Sequence, residues 1–237
     1  MTIKEIHDTV LFITNKEQNQ ILSHEEIDLL LDRAQIVLFN QYHTNPKIPA
    51  QAQAAMYGES QRIDDSLSAF KASSSFTSSS SGYITLPSNY MHLIALNTSL
   101  YNNNLGRNVI SAVQVLNEEE LIGRLESQVI PVTDSDPVCI MTNTNKILLF
   151  PSVEHSGTLY YFRRPTAPKF GYSQTGRTIT YNPNDYNSST QPTGSIQMEW
   201  RDYDIMNIIS IALSYIGITS NSADLTRFAE LKIQQGQ

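Results

Sequence analysis

The two ends of the chain carry apolar residues at the spacing of amphipathic helices, and the stretch between them has the alternating pattern of β-strands. Near the amino terminus, Ile3, Ile6 and Val10 recur at helical intervals, and near the carboxyl terminus an apolar stripe runs through residues 203–216. Each of these helices must bury one apolar face. We therefore expect the first and last segments to pack together in one helical layer.

Two capping boxes mark where the first helices begin. Thr2 with Glu5, and Ser23 with Glu26, have the spacing of this motif. In it, the side chain of each residue accepts a hydrogen bond from the backbone N–H of the other. The second helix is expected to stop before Pro46, because the residue that precedes a proline is disfavoured in the helical conformation.

Two further helices are predicted from composition and spacing. One lies within residues 50–70, and the other, which is more polar, lies within residues 222–235. The positions of the former that we expect to be buried are Met56, Ile63, Leu67 and Phe70.

The composition changes at a serine tract. Seven of the nine residues 73–81 are serine, which leaves little to bury, so we expect a flexible connector or an exposed loop. Beyond it, Asn117 and Glu120 are placed to cap a short helix, and residues 143–145 fit the turn of a β-hairpin. The polar stretch at 171–194 is predicted to be a long loop with one strand at 177–181.

These patterns predict an α+β fold, in which a helical layer from both ends accompanies a central antiparallel β domain that is a sandwich or barrel-like. The predicted division is 1–72 for the N-terminal helices, 73–81 for the serine-rich connector, 82–197 for the β domain with its long loop at 171–194, and 198–237 for C-terminal helices that pack on the N-terminal ones.

The composition limits the partners. Among 237 residues, 16 Lys and Arg stand against 23 Asp and Glu, which gives a net charge of −7. A general binder of the phosphate backbone would be basic, so this balance argues against that class. Cys139 is the only cysteine, which excludes an intramolecular disulfide and a cysteine-rich zinc site. No run approaches the roughly 20 apolar residues that span a bilayer, and we expect a soluble, unexported chain with no membrane partner.

No set of residues with catalytic spacing stands out. His24–Glu26 lacks the second histidine of a metalloprotease helix, and Asp134–Asp136 lacks the glycine and distal glutamate of a calcium loop. Cys139 lies between apolar residues of a predicted strand, where a cysteine behaves as a small buried hydrophobe. We therefore expect no catalytic residue, no metal site and no cofactor.

A strand predicted at residues 156–164 ends in two arginines and a stiff exit. Arg163 and Arg164 are followed by Pro165 and Pro168, which cannot extend a hydrogen-bonded ladder. Positive charge among aromatic residues suits a protein interface or, less well, a platform for single-stranded nucleic acid, and a solvated strand end is the simplest alternative. The residues that we assign to an interface are Arg163, Arg164, Lys169, Phe170, Tyr172 and Arg177.

Three stretches, in this order, resemble the head-to-tail connector proteins of tailed bacteriophages. They are YITLPSNYMHLIAL, then a hairpin leading to KILLFPSVEHSGTLYYFRRPTAPKF, and then MEWRDYDIMNIISIALSYIG. In particular, they are similar to the adaptor of short-tailed phages, tail tubular protein A, and to the ring proteins of crAss-like phages. The resemblance spans Gly82 to Gly217, and the serine tract and the loop at 171–194 are not part of its pattern.

The resemblance implies a structural virion protein that is not an enzyme. Such proteins form a homo-oligomeric ring, commonly of about twelve copies, which joins the portal protein to adjacent tail or ring proteins and lines the channel for genomic DNA. They assemble in the host cytoplasm, and the genomic DNA passes through their channel without sequence-specific binding. At −7 per chain, such a ring carries roughly −80 charges, a sign that repels DNA phosphates. Arg163 and Arg164, on an arm stiffened by the two prolines, would form forked hydrogen bonds to carboxylates of a neighbouring subunit or of the portal.

Two other functions stay open at this level. The Tyr- and Asn-rich residues 172–189 are compatible with a virion protein that binds carbohydrate or a receptor. A tail-associated hydrolase is the weaker alternative, because no acid, base and nucleophile set accompanies it.

Overall fold

The computed structural model describes residues 1–16, 22–44, 62–102, 107–142, 145–176, 178–219 and 231. Its helices are α1 (Ile3–Lys16), α2 (His24–Thr44), α3 (residues 62–68), α4 (Glu118–Glu126) and α5 (Asp202–Thr219). Its strands are β1 (Lys71–Thr77), β2 (Tyr83–Thr85), β3 (Tyr90–Asn102), β4 (Arg107–Ala112), β5 (Gln114–Val115), β6 (Val138–Met141), β7 (Lys146–Phe150), β8 (Ser156–Arg163), β9 (Tyr172–Thr175) and β10 (Thr178–Tyr181). Helices near both ends with antiparallel-dominated sheets between them confirm the predicted α+β class. None of the helices within these residues is long and apolar enough to cross a bilayer.

The chain divides into two compact units and passes between them twice. Unit 1 contains residues 1–69 and 165–237, and unit 2 contains residues 70–164. The two ends of the chain therefore belong to the same unit.

In unit 1, α5 packs against α2, and α1 contacts both helices. Leu213 of α5 is 1% exposed, and Ile6 and Val10 of α1 are fully buried. Leu30 and Val37 of α2, which the sequence also suggests for this core, are only half-buried. The buried face of α2 lies beside them at helical spacing and consists of Ile27, Leu31, Ala34, Leu38 and Phe39.

Both predicted capping boxes of the N-terminal helices are present. The Thr2 N–H donates to the Glu5 carboxylate at 2.9 Å, and the Glu5 N–H donates to Thr2 Oγ1 at 3.3 Å. Ser23 and Glu26 make the same reciprocal pair at 2.9 and 3.2 Å. Each box satisfies backbone N–H groups that the first turn of a helix leaves without intrahelical partners.

Unit 2 contains two four-stranded sheets that share one apolar core, as in a sandwich. The first has the order β1-β8-β3-β4 and is antiparallel throughout. The second has the order β2-β7-β6-β5, with β5 parallel to β6. The predicted hairpin is formed by β6 and β7, while residues 143 and 144 of its turn lie outside the described residues. The core consists of Ile84, Leu86, Leu96, Val113, Cys139, Ile147, Leu149, Leu159 and Tyr161.

The serine tract is not the flexible connector that its composition predicts. Most of it belongs to β1, which pairs with β8 from Lys71 opposite Phe162 to Thr77 opposite Ser156. Two side chains of the strand, Ala72 and Phe76, pack against the core of unit 2. A ladder of backbone hydrogen bonds together with these contacts holds the strand, and a rule based on side-chain composition takes no account of that ladder.

The polar stretch at 171–194 belongs to unit 1 and not to the β domain in which the sequence suggests it lies. Within it, β9 and β10 pair as a hairpin, from Tyr172 opposite Tyr181 to Thr175 opposite Thr178. A Cβ atom on Gly171 would lie 2.4 Å from the Thr193 carbonyl oxygen, so the two ends of the stretch meet where a glycine permits close approach. The boundary of the β-rich unit therefore falls at residue 164 rather than 197.

The structure describes only part of the third and last predicted helices. Leu67 and Phe70 are buried as expected at the end of the third, and Ile63 is half-buried. Met56 lies outside the described residues, as does the helix predicted at 222–235 except for residue 231.

Leu213→Ala tests the core that the two ends share. We expect the free energy of unfolding to fall by about 2–5 kcal/mol, because removing a buried leucine side chain loses apolar contacts and leaves a cavity. The matched control is Met206→Ala on the same helix, because Met206 is 51% exposed and should change stability little. Thermal unfolding followed by circular dichroism measures both variants, and equal midpoints would contradict the packing described here.

Candidate functional site

The six residues assigned to an interface are divided between the two units. Arg163 and Arg164 end β8 in unit 2, whereas Lys169, Phe170 and Tyr172 belong to unit 1. Arg177 lies outside the described residues.

The two arginines differ in their surroundings. Arg163 is half-buried, and its guanidinium carbon lies 5.7 Å from the centre of the Phe70 ring, a cation–π distance. The Arg164 N–H donates to the Asn89 carbonyl at 2.7 Å, while its side chain is exposed. The backbone of the pair is therefore fixed within unit 2, and Arg164 presents the more accessible charge.

The segment after the arginines is bound to unit 1 along its length, in contrast to the expected projecting arm. Its two prolines are buried. The Thr166 carbonyl accepts from Gln35 Nε2 at 3.1 Å, and Lys169 and Ile196 exchange backbone hydrogen bonds at 3.1 and 2.9 Å. Lys169 Nζ also lies 4.0 Å from the centre of the Tyr186 ring, so its charge is engaged by an aromatic face.

Phe170 lies in an aromatic stack and is only 6% exposed. Its ring centre is 4.2 Å from that of His24 and 4.6 Å from that of His7. Its N–H donates to the Asp28 carboxylate at 2.9 Å, and His7 Nε2 lies 2.9 Å from the same carboxylate. Asp28 therefore ties the exit segment and α1 to α2.

A hydrogen bond between the two histidines completes this cluster. His7 Nδ1 and His24 Nδ1 are 3.1 Å apart. A carboxylate only accepts, so His7 Nε2 donates to Asp28; in neutral His7 the Nδ1 atom then accepts, and His24 donates to it. Burial is the largest cause that lowers the pKa of His24, and the neighbouring His7 lowers it further. Glu25, Asp28 and Asp8 act in the opposite direction and raise it.

Tyr172 is attached to the start of α2. Its hydroxyl donates to the Glu25 carboxylate. This hydrogen bond lowers the pKa of Glu25 and raises the pKa of Tyr172. Of the predicted interface residues in unit 1, Phe170, Tyr172 and Lys169 are therefore all engaged by side chains or backbone of that unit.

Helix α4 of unit 2 and the segment after it expose four apolar side chains that were not predicted from the sequence to belong to an interface. Ile122, Leu125, Val129 and Ile130 are between 50% and 89% exposed, and we call them the α4 patch. Ile122 and Leu125 share a helix face because they are three residues apart. Val129 and Ile130 follow the helix, and Arg124 Nη1 donates to the Ile130 carbonyl at 3.0 Å, which holds this segment against the helix.

The local sequence explains why α4 is well formed although it buries little. Asn117 and Glu120 make the predicted capping box, and Leu121 is the residue of the helix that is buried. Arg124, in the last turn, also forms an ion pair with Asp136. The sequence feature that indicates this patch is the run LIGRLESQVI, because it has more apolar residues than one face of so short a helix can bury.

The α4 patch has an acidic border. Glu118, Glu119 and Glu126 of the same helix are exposed. A protein surface that complements it would present apolar side chains at its centre and basic ones around them.

A shallow groove of about 380 Å³ lies where β1, β8 and β3 meet in unit 2. It is lined by Ser75, Phe76, Thr77, Ser99, Ser156, Gly157 and Thr158. Most of these residues have hydroxyl side chains, which both donate and accept hydrogen bonds, so the groove suits a neutral polar ligand.

Within the described part of the chain, no group of three or more His, Cys, Asp or Glu side chains is placed to hold a metal ion. No protein-family model matches the chain, and a search of curated proteins gives no match.

His24→Phe tests the histidine cluster through the pH dependence of stability. Because the folded state lowers the pKa of His24, the unfolded chain takes up a proton first as the pH falls below about 6.5. The contribution of His24 is therefore complete above that pH and is lost as the pH falls toward the folded-state pKa. We expect the thermal midpoint of the parent to drop more than that of His24→Phe between about pH 7.5 and about pH 5.

His43→Phe is the matched control, because His43 is an exposed histidine on the same helix. It should retain the pH dependence of the parent. A parent and a His24→Phe variant with the same pH dependence would contradict the role of His24 in the cluster.

Proposed function

We propose that this chain is a structural subunit of a ring in the head-to-tail connector of a tailed bacteriophage. The ring joins the portal protein to adjacent tail or ring proteins and lines the channel through which genomic DNA passes. It belongs to the virion, assembles in the host cytoplasm and has no catalytic role. The observation that carries the proposal is the α4 patch.

The α4 patch supports a protein partner. A contiguous apolar patch on a soluble protein marks a site of interaction with another protein or with a membrane. The exposed acids Glu118, Glu119 and Glu126 favour the former, because anionic lipid headgroups repel an acidic surface. The patch is thus suited to a portal or ring protein with basic residues around an apolar site.

The charge of the chain supports a DNA channel that does not retain its cargo. Each copy carries a net charge of −7. Around a ring, this charge opposes binding of DNA phosphates and lets the genome slide.

Ile122→Asp combined with Leu125→Asp tests the patch. We expect the parent to reach the mass of a ring, alone or when portal protein is added. The variant should assemble at least about tenfold more weakly, because charged side chains replace two apolar ones in the contact. Light scattering coupled to size-exclusion chromatography measures both.

The control is Ile179→Asp, an exposed isoleucine on β10 of unit 1, which should assemble as the parent does. Thermal midpoints close to that of the parent show that each variant is folded. A parent chain that stays monomeric at high concentration with portal present would contradict the proposed function.

Arg164 tests the proposed charged contact more cleanly than Arg163, since Arg163 also packs over Phe70. If Arg164 makes a bidentate hydrogen bond to a partner carboxylate, Arg164→Ala should weaken assembly by about 2–5 kcal/mol. Arg164→Lys should recover little, because an ammonium group cannot reproduce the guanidinium fork. The same light-scattering titration measures this; full assembly by Arg164→Ala at low and high salt would identify a solvated strand end.

A second candidate, a virion protein that binds carbohydrate or a receptor, is favoured by one observation. The groove between β1, β8 and β3 has five hydroxyl side chains, of which Thr158 also has its N–H bonded to Asn97 Oδ1 at 3.0 Å. Glycan-array binding by the isolated chain, lost on Thr158→Val, would favour this function over a connector.

A further inference from the structure

We propose that β1 of one copy pairs with β4 of the next, so that the antiparallel sheet β1-β8-β3-β4 continues from subunit to subunit. This inference rests on the proposed function, because it specifies how the ring subunits contact one another. The structural basis is that β1 and β4 are the two edges of the sheet, and within the described residues each pairs with one strand only.

Hydrogen bonds at the two ends of β1 show which of its backbone groups face outward. The Arg163 N–H donates to the Phe70 carbonyl and the Ser78 N–H to the His155 carbonyl, each at 2.8 Å. Residues in an antiparallel ladder alternate between those that bond to the partner strand and those that point away from it. Even-numbered residues therefore bond to β8. The residues whose N–H and C=O groups point to the open edge are Lys71, Ser73, Ser75 and Thr77, all exposed.

The same reasoning applies to β4. The Val113 N–H donates to the Leu96 carbonyl at 2.9 Å, which extends the β3–β4 ladder by one residue. The residues that point to the open edge are then Asn108, Ile110 and Ala112. Ile110 is 69% exposed, which is costly for a large apolar side chain in a strand.

The two edges match each other in direction. Four strands that are antiparallel throughout place β1 and β4 in opposite directions, so a neighbouring copy in the same orientation continues the antiparallel alternation. The outward-pointing residues of both edges also have their side chains on the same, exposed face of the sheet. Pairing therefore joins like faces and leaves the buried face of each sheet on one side.

The two edges also match in length and charge. β1 has seven residues and β4 has six. Each has one charged residue, Lys71 or Arg107, at its first position. Antiparallel pairing separates these two positive charges to opposite ends, and neither strand contains the proline or central charges that block edge pairing in natural sheets.

The occupant of each edge is therefore a second copy of this chain. Because β1 and β4 are different surfaces, the contact is head-to-tail, and its repetition about a rotation axis closes a ring. A backbone ladder of this kind is the mode in which a strand adds to an exposed sheet edge.

Cysteine cross-linking tests the pairing directly. One chain carries Ile110→Cys with Ser73→Cys, and another carries Ile110→Cys with Ser75→Cys. The two combinations test the two registers in which all three outward-pointing residues of β4 lie opposite outward-pointing residues of β1. Paired residues with Cα atoms about 5.5 Å apart are within disulfide range. Native Cys139 is buried, and burial raises its pKa to about 12, so it does not compete for oxidation. We expect one of the two chains to give a ladder of disulfide-linked oligomers on a non-reducing gel.

Three single-cysteine variants and one mismatched pair serve as controls. Ser75→Cys, Ser73→Cys and Ile110→Cys as single variants should stay monomeric on the gel, and a linked dimer from a single β1 variant would show symmetric β1–β1 pairing and overturn the inference. Ser75→Cys with Met141→Cys, exposed positions in the two different sheets of unit 2 that the pairing does not bring together, should give no ladder. A ladder from this mismatched chain would mean random collision and also overturn it.

Light scattering on the same samples distinguishes failure of the inference from failure of the proposed function. Rings without cross-links in either double variant would overturn the edge pairing and leave the connector function intact. Cross-linked open polymers without closed rings would support the pairing and contradict the ring. Monomers throughout, with portal protein present, would overturn both.

Discussion

The double pairing of β8, with β1 on one side and β3 on the other, is the constraint on which unit 2 depends. It places Leu159 and Tyr161 in the core that the two sheets share. It also requires Gly157, where a Cβ atom would lie 2.0 Å from the Asn97 carbonyl oxygen. With β8 and β3 in the interior of the sheet, β1 and β4 are left as its edges. In our proposal, unit 2 contacts its partners through the backbone groups on those edges and through the α4 patch.

Asp28 has a comparable role in unit 1. Its carboxylate accepts from the Phe170 N–H and lies within hydrogen-bond distance of His7, so one half-buried acceptor joins α1, α2 and the segment that leaves β8. This explains the two prolines after the arginines in a way that an exposed arm does not. The prolines end the ladder of β8, and the chain that follows is then bound to the helices of unit 1.

The sequence predicted the features that depend on near neighbours. The capping boxes at Thr2 and Ser23 and the β6–β7 hairpin follow from residues a few positions apart, and the structure confirms them. The features that it missed depend on distant partners. β1 is a strand because β8 pairs with it, and Phe170, which charge and aromatic content assigned to an interface, is buried because the chain brings the rings of His7 and His24 against it. A composition rule cannot detect either contact.

We propose that the chain builds a ring with an open centre. Electron microscopy of the purified parent chain, alone and after mixing with its portal protein, tests it most directly. We expect closed rings with rotational symmetry and a central opening, seated on the portal in the mixture. Single particles without an opening, or a portal that stays bare in the presence of excess chain, would contradict it.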